Sequence, residues 1–212
     1  GASHSADRTG YGHMSGPGAP SSDSVGASYG GLGYFGNDVA PSYGSATHPT
    51  DLGSGGYYNG GGAIVLSVSQ TLTNNGEISA RGGASGSGGS ISVSAHALAG
   101  SGLFSAAGGG LFFTGYFQGP GGGGRIALYY DMSSFSGTAE AKGGCGSYDG
   151  FSKSCAQKGT VGWFDRTHNN LRIDSSWRFQ HNDGPFSFNH IIAANTAEMT
   201  AESDVGIAAS NL

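Results

Sequence analysis

The sequence predicts an all-β protein, and within that class a right-handed parallel β-helix. Three observations lead to this prediction. Glycine supplies 43 of the 212 residues while charged residues make up only 11%, a composition typical of loop-rich chains rather than ordinary globular domains. Aromatic residues reach 11%, which argues for an ordered chain because disordered ones carry few aromatics. Finally, one strand-like pattern recurs between pairs of glycines.

The recurring pattern occurs four times. Each copy consists of glycine, a small or polar residue, an alternating apolar strand, a glycine-containing turn, a second short strand and Gly-Gly. Three copies occupy 61–83, 88–109 and 123–144, and a fourth begins at Gly159 and then diverges. The first strands start at Ile64, Ile91, Ile126 and Val161, roughly 27 to 35 residues apart, a period typical of stacked coils.

Within each copy the apolar residues alternate, as at Ile64, Leu66 and Val68, which directs one face of the strand inward. The second strands are predicted at 78–80, 104–106 and 139–141. Coils that stack in register would bury a continuous core that no single copy can form. A β-propeller needs about four strands per blade, more than each copy offers, and a sandwich gives no reason for the repeated glycines.

The chain is predicted to divide into three parts. Residues 1–60 hold no alternating strand of useful length and are expected to form an irregular Gly/Ser/Tyr-rich N-terminal cap over the first coil. Residues 61–175 form the β-helix coils. Residues 176–212 add one or two strands, and their abrupt end leads us to expect that the natural chain continues into further sequence.

Several motifs appear in the order found in a known type of repeat. They are "SYGSATHPTDLGSGG" at 42–56, "GGGAIVLSVSQTLTNNGEISARGG" at 60–83 and "GGGGRIALYYDMSSFSGTAEAKGG" at 121–144. Over about residues 25–175 the chain thereby resembles a glycine-rich repeat module of large secreted and cell-surface proteins. The resemblance implies a β-helical extracellular module and no particular activity. The fourth copy departs from the pattern at "GWFDRTHNN".

Charge and hydropathy narrow the range of partners. The net charge of −5 argues against nucleic acid, which calls for a basic stripe. No apolar stretch approaches the roughly 18 residues of a membrane span, so membrane insertion is not expected.

The two cysteines, Cys145 and Cys155, lie in one Gly/Ser-rich segment. A disulfide between them would close a short loop, stabilise it by about 2–3 kcal/mol on the loop-entropy model and indicate an oxidising, extracellular setting. Two free thiols or half of a metal site are the alternatives. A metal site is disfavoured because no CxxC spacing or His pair lies nearby.

Two glycine-rich stretches invite a ligand-binding interpretation. The run at 119–124 precedes a strand and lacks the Lys-Ser/Thr of a phosphate-binding loop. The segment "GGCGSYDG" at 143–150 approaches a calcium-binding nonapeptide, but its Asp149 is displaced and the motif occurs once. We therefore predict no cofactor and no metal site, with a single Ca²⁺ near Asp149 as the alternative.

Counting from the strand starts aligns four side chains, namely Ser69, His96, Asp131 and Arg166. Adjacent coils lie about 4.8 Å apart, so Asp131 is predicted to stand between His96 and Arg166. Such a trio could serve as an acid/base site or as an exposed ion ladder. Glycosidase chemistry typically needs two carboxylates. The nearby Glu140 and Asp149 fall outside this column, so the trio is at most a weak catalytic candidate.

The segment 108–124 contains the densest apolar stretch outside the strands. Its aromatic residues are candidates for binding sugars or protein partners, or for covering the coils; they are Phe112, Phe113, Tyr116 and Phe117.

These observations favour a non-catalytic, extracellular structural or adhesive module of a cell-surface protein or filament. Its expected partners are further copies or neighbouring β-helical domains. Two alternatives remain: a carbohydrate-binding or carbohydrate-cleaving β-helix, and a phage-type glycine-rich receptor adhesin.

Overall fold

The computed structural model describes residues 3–22, 24–34, 39–110, 118–147, 153–194 and 197–211. Within these ranges the chain is all-β, with fifteen strands and one short 3₁₀ turn at His181–Asp183. A search of the same ranges finds no helix with the length and apolar character that membrane crossing requires.

The strands, in chain order, are β1 (Ser3–Ser5), β2 (Ala63–Thr73), β3 (Glu77–Ser79), β4 (Ser90–Ala99), β5 (Leu103–Ser105), β6 (Arg125–Ser133), β7 (Thr138–Glu140), β8 (Cys145–Ser147), β9 (Lys153–Cys155), β10 (Thr160–Asp165), β11 (Asn170–Ile173), β12 (Ser176–Phe179), β13 (Phe186–Ala193), β14 (Glu198–Ala201) and β15 (Ile207–Asn211).

The long strands of the four copies lie side by side. β2, β4, β6 and β10 pair in parallel, and the predicted strand starts stand opposite one another in the order Ile64, Ile91, Ile126 and Val161. The alternation places Ile91, Val93 and their equivalents in a common core, where apolar burial stabilises the stack. The in-register parallel pairing of these strands is therefore confirmed.

The short second strands form a separate parallel sheet in the order β1, β3, β5, β7. Each of β3, β5 and β7 begins one residue before the predicted position, and Ile78, Phe104 and Ala139 stand opposite one another. Residues 3–5 contribute the first strand, because β1 pairs with β3. The described remainder of the N-terminal segment contains no regular strand.

A glycine directly precedes each of the four long strands, and these four glycines lie against one another in successive copies. A Cβ on Gly89 would lie 1.9 Å from the carbonyl oxygen of Gly62, one on Gly124 would lie 2.1 Å from that of Gly89, and one on Gly159 would lie 1.8 Å from that of Gly124. No side chain fits at these separations. The glycine run that opens the third copy is therefore required for close backbone packing.

The N-terminal segment hydrogen-bonds to the same glycine-rich layer through its backbone. The amide of Gly31 donates to the carbonyl of Gly123 at 2.8 Å, and the amide of Gly122 donates to the carbonyl of Ala27 at 2.9 Å. Glycine allows this side-by-side contact, because a Cβ on Gly122 would lie 2.0 Å from the carbonyl oxygen of Gly31.

The fourth copy departs from the other three after β10. The chain turns back at once, and β11 pairs antiparallel with β10, with Phe164 opposite Leu171. β13 and β15 then add in parallel to β11, while β12 and β14 pair with each other. Residues 176–211 thus hold four described strands where the sequence indicated one or two.

The C-terminal strands build a second hydrophobic cluster on the outer face of β6 and β10. Ala127 of β6 and Phe164 of β10 point away from the first core and join Trp177 and Phe186. Gly162 makes room for this layer, because a Cβ there would lie 2.6 Å from the Trp177 ring.

A disulfide joins Cys145 and Cys155, as favoured from the sequence. The two residues stand opposite each other in the antiparallel pair β8–β9. The disulfide is compatible with an extracellular location.

Candidate functional site

The structure brings the three charged residues of the predicted column together. His96 lies in β4, Asp131 in β6, and Arg166 directly follows β10. The Nδ1 atom of His96 lies 2.9 Å from one carboxylate oxygen of Asp131, and the Nε of Arg166 donates to the other oxygen at 2.8 Å. In-register pairing of the three strands is what places Asp131 between its two partners.

Arg166 is held by two further bonds. Its Nη1 donates to the hydroxyl of Ser94 at 2.8 Å and its Nη2 donates to the carbonyl of Ala95 at 2.7 Å. The guanidinium therefore bridges Asp131 of β6 and two groups of β4, and so links the ends of β4, β6 and β10.

Ser69, the fourth member predicted for this column, is set apart by a local irregularity. The pairing of β2 with β4 shifts register between Val68 and Thr71. Two residues of β2, Ser69 and Gln70, therefore stand opposite the single residue His96 of β4. The row of aligned polar side chains ends at His96.

The electrostatics favour an ionised Asp131. Hydrogen bonds from His96 and then from Arg166 lower the pKa of this carboxyl. Both of its oxygens are engaged, and the three side chains are between one third and one half exposed. A carboxylate that is ionised at neutral pH, with both oxygens bonded, suits an ion ladder better than proton donation at neutral pH.

Of the two candidates for the second carboxylate that glycosidase chemistry needs, the one that the structure describes lies away from Asp131. Glu140 lies in the short-strand sheet, where it pairs with Lys142 and accepts a hydrogen bond from Ser105. Asp149 lies outside the described residues, as do Phe112, Phe113, Tyr116 and Phe117. Within the described part of the chain, no cluster of three or more His, Cys, Asp or Glu residues could hold a metal ion.

A buried arginine connects the three parts of the molecule. Arg125, only 1% exposed, donates from Nε and Nη2 to the carbonyl of Tyr43 at 3.0 and 2.8 Å. Its guanidinium also lies 5.4 Å from the ring centroid of Tyr29 and 3.4 Å from the side-chain oxygen of Gln180. The residue thus fastens the N-terminal segment and the C-terminal strands to β6.

Burial dominates the ionisation of this cluster. It lowers the pKa of Arg125, with Tyr29 and then Asp183 acting in the opposite direction. It raises the pKa of Tyr29 to about 12. The phenol therefore stays neutral at physiological pH and hydrogen-bonds to the hydroxyl of Ser90 at 2.6 Å.

Asp183 makes a second set of contacts to the N-terminal segment, next to those of Arg125. The carboxylate of Asp183 accepts hydrogen bonds from the amide of Ala46 at 2.8 Å and from the hydroxyls of Ser45 and Thr47. Residues 43–47 are therefore held from both ends, by a cation and by an anion.

The sequence analysis did not identify Arg125 as an anchor, although a signal was present. The residues at its position in the other copies are Ala63, Ser90 and Thr160, all small. A comparison of the copies at their polar positions would have shown that Arg125 is the one long, charged side chain among these four equivalent residues.

Comparison of this chain with protein-family models, with curated proteins and with solved structures found no match in any of the three.

Proposed function

We propose that this chain is a non-catalytic extracellular module, built as a right-handed parallel β-helix, that serves a structural or adhesive role by docking end to end through β2. The partner is a further β-helical strand, in another copy of the chain or in a neighbouring domain. The observation that carries the proposal is the open edge of the long-strand sheet at β2.

Strand β2 stands at the end of the sheet order, and no strand of the described residues lies beyond it. It is 11 residues long, and in the described part of the chain one side of its backbone has no strand partner. Its inward residues Ile64 and Leu66 are half-buried, whereas their neighbours Ile91 and Val93 on β4 are 0% exposed. Unpaired strand edges of this length template the addition of another strand.

The right-handed assignment rests on a general preference of parallel sheets. Strand, crossover and parallel strand connect with a right-handed turn in about 98% of cases. The connections from β2 through β3 to β4, and from β4 through β5 to β6, are crossovers of this kind.

The non-catalytic assignment is supported by the saturation of Asp131. Its two oxygens are bonded to His96 and Arg166, and the candidate second carboxylate Glu140 lies in the other sheet. The ion pairs of His96, Asp131 and Arg166 therefore fit a structural role, which is to link the ends of neighbouring strands.

Association of the purified chain tests the proposal. In isolation the only β-helical strand available to β2 is another copy, so light scattering should show a mass that rises with protein concentration. Val65 is 60% exposed on the open strand, and Val65→Lys should shift association to higher concentration because an edge lysine opposes strand addition.

The matched control is Val65→Thr, which keeps the β-branched side chain and adds no charge. A chain that stays monomeric at every accessible concentration contradicts the proposed docking. So does a Val65→Lys variant that associates as readily as Val65→Thr.

A further inference from the structure

A cleft of about 820 Å³ opens between the N-terminal segment and the C-terminal strands. One wall is formed around Leu32 and Pro41, the other by β12 and β14, and the segment at 156–160 forms the floor. Its volume lies in the range of small-molecule sites, which is roughly 300–1,000 Å³.

The wall made by β12 and β14 is a ladder of polar side chains. The two strands pair in parallel with Ser176 opposite Glu198 and Arg178 opposite Thr200. Because side chains alternate along a strand, every second residue faces the cleft. The residues that do so are Ser176, Arg178, Gln180, Glu198, Thr200 and Glu202.

The charges in the cleft are balanced. Lys158 and Arg178 supply two cations, and Glu198 and Glu202 supply two carboxylates. Arg178 lies 3.5 Å from Glu202, which also accepts the backbone amide of His181 at 2.9 Å. A ligand of a single charge sign would meet like charges here, whereas a ligand with many neutral donors and acceptors would not.

We infer that this cleft binds a saccharide. Each sugar hydroxyl both donates and accepts, which matches a lining that interleaves guanidinium, carboxylate, amide and hydroxyl groups. The opposite wall, with Leu32 and Pro41, offers apolar surface to the C–H faces of a sugar ring. The inference is independent of the docking proposed for β2, since the cleft is lined by β12 and β14, which branch from β10 and do not pair with β2.

The test is binding of the full chain to an immobilised panel of microbial, plant and animal oligosaccharides. Hits are then titrated in solution while the fluorescence of the two tryptophans is followed. Trp177 lies on β12 between Ser176 and Arg178, which face the cleft, so binding should change the emission. Arg178→Ala and Glu198→Ala, both at exposed side chains, should each weaken binding at least tenfold.

Arg172→Ala is the matched control, because Arg172 is an exposed arginine that pairs with Asp174 and does not line the cleft. It should bind as the unaltered chain does. Failure to bind any member of the panel would overturn the inference, and so would binding that Arg178→Ala and Glu198→Ala leave unchanged. Light scattering on the same samples reports on β2 separately.

Discussion

The outer face of the long-strand sheet is open over β2 and β4 but covered over β6 and β10. On β4 the outward residues Ser92 and Ser94 keep contact with solvent, whereas Ser90 at the start of the strand is buried beside Tyr29. On β6 and β10 they include Ala127 and Phe164, both buried. The inward faces of all four strands follow one pattern, so the outward residues decide where a second layer forms.

The covered half gains its layer through aromatic packing. The Tyr129 and Phe164 rings stack with centroids 4.2 Å apart, and Phe164 meets Trp177 edge-on at 5.8 Å. Offset and edge-to-face pairs of this kind add to the free energy of burial. Serine at the equivalent positions of β4 offers no such surface, and that half stays one layer thick.

The largest expected effect comes from removing an aromatic ring from the covered half. Phe164→Ala should lower the free energy of unfolding by about 3–5 kcal/mol, because it leaves a cavity between two packed layers. The counterpart on the open half, Val65→Ala, should change it by no more than about 0.5 kcal/mol. Urea denaturation measures both, and equal losses would refute the distinction between the halves.

Arg125→Met should have the next largest effect. It keeps an unbranched side chain in the buried site but leaves the carbonyl of Tyr43 without its two guanidinium bonds. Buried charged hydrogen bonds contribute about 1.5–3 kcal/mol each, or about 3–6 kcal/mol for the two. Methionine also removes the desolvation cost of the buried cation, so we expect a net loss of about 3 kcal/mol.

The control for Arg125→Met is Arg172→Met, at a side chain that is 51% exposed, which should cost less than about 1 kcal/mol. Limited proteolysis adds a second readout, since Arg125→Met should speed cleavage within residues 39–60. Unchanged stability together with unchanged cleavage would show that Arg125 does not anchor this segment.

The regular part of the fold could be predicted because it depends on apolar side chains that alternate. Ile64, Ile91, Ile126 and Val161 share one inward column, and counting outward from that column also placed Asp131 between His96 and Arg166. Once the register is known, in-register stacking leaves little freedom to side chains near the strand ends.

The remaining structure depends on features that alternation does not reveal. The N-terminal segment is held by glycine backbones, such as those of Gly31 and Gly123, which leave no side-chain pattern to read. The chain reverses after Asp165, and the second layer depends on the outward residues Gly162 and Phe164. Their meaning appears only when outward positions are compared between copies.

The smallest expected effect concerns the ion ladder, which crosses from the open half to the covered half. Asp131→Asn should lower stability slightly at neutral pH, because it removes the charge that His96 and Arg166 share. In the folded protein the pKa of Asp131 is lowered, so its contribution is present above the ordinary aspartate pKa of about 3.9. It is lost as the pH falls through the pKa of the folded state.

The measurement is urea denaturation of both proteins at several pH values from neutral down to about 2.5, a range that brackets an ordinary carboxyl. The gap between Asp131→Asn and the unaltered chain should close at the acidic end. A gap that is constant across this range would mean that the carboxylate charge contributes nothing.

The central claim, that β2 is an open edge for docking, is tested most directly by amide hydrogen exchange followed strand by strand at increasing protein concentration. Exchange in β2 should slow as concentration rises, because docking pairs its free backbone groups, while exchange in β4 and β6 should stay constant. Exchange in β2 that is the same at every concentration would contradict the account.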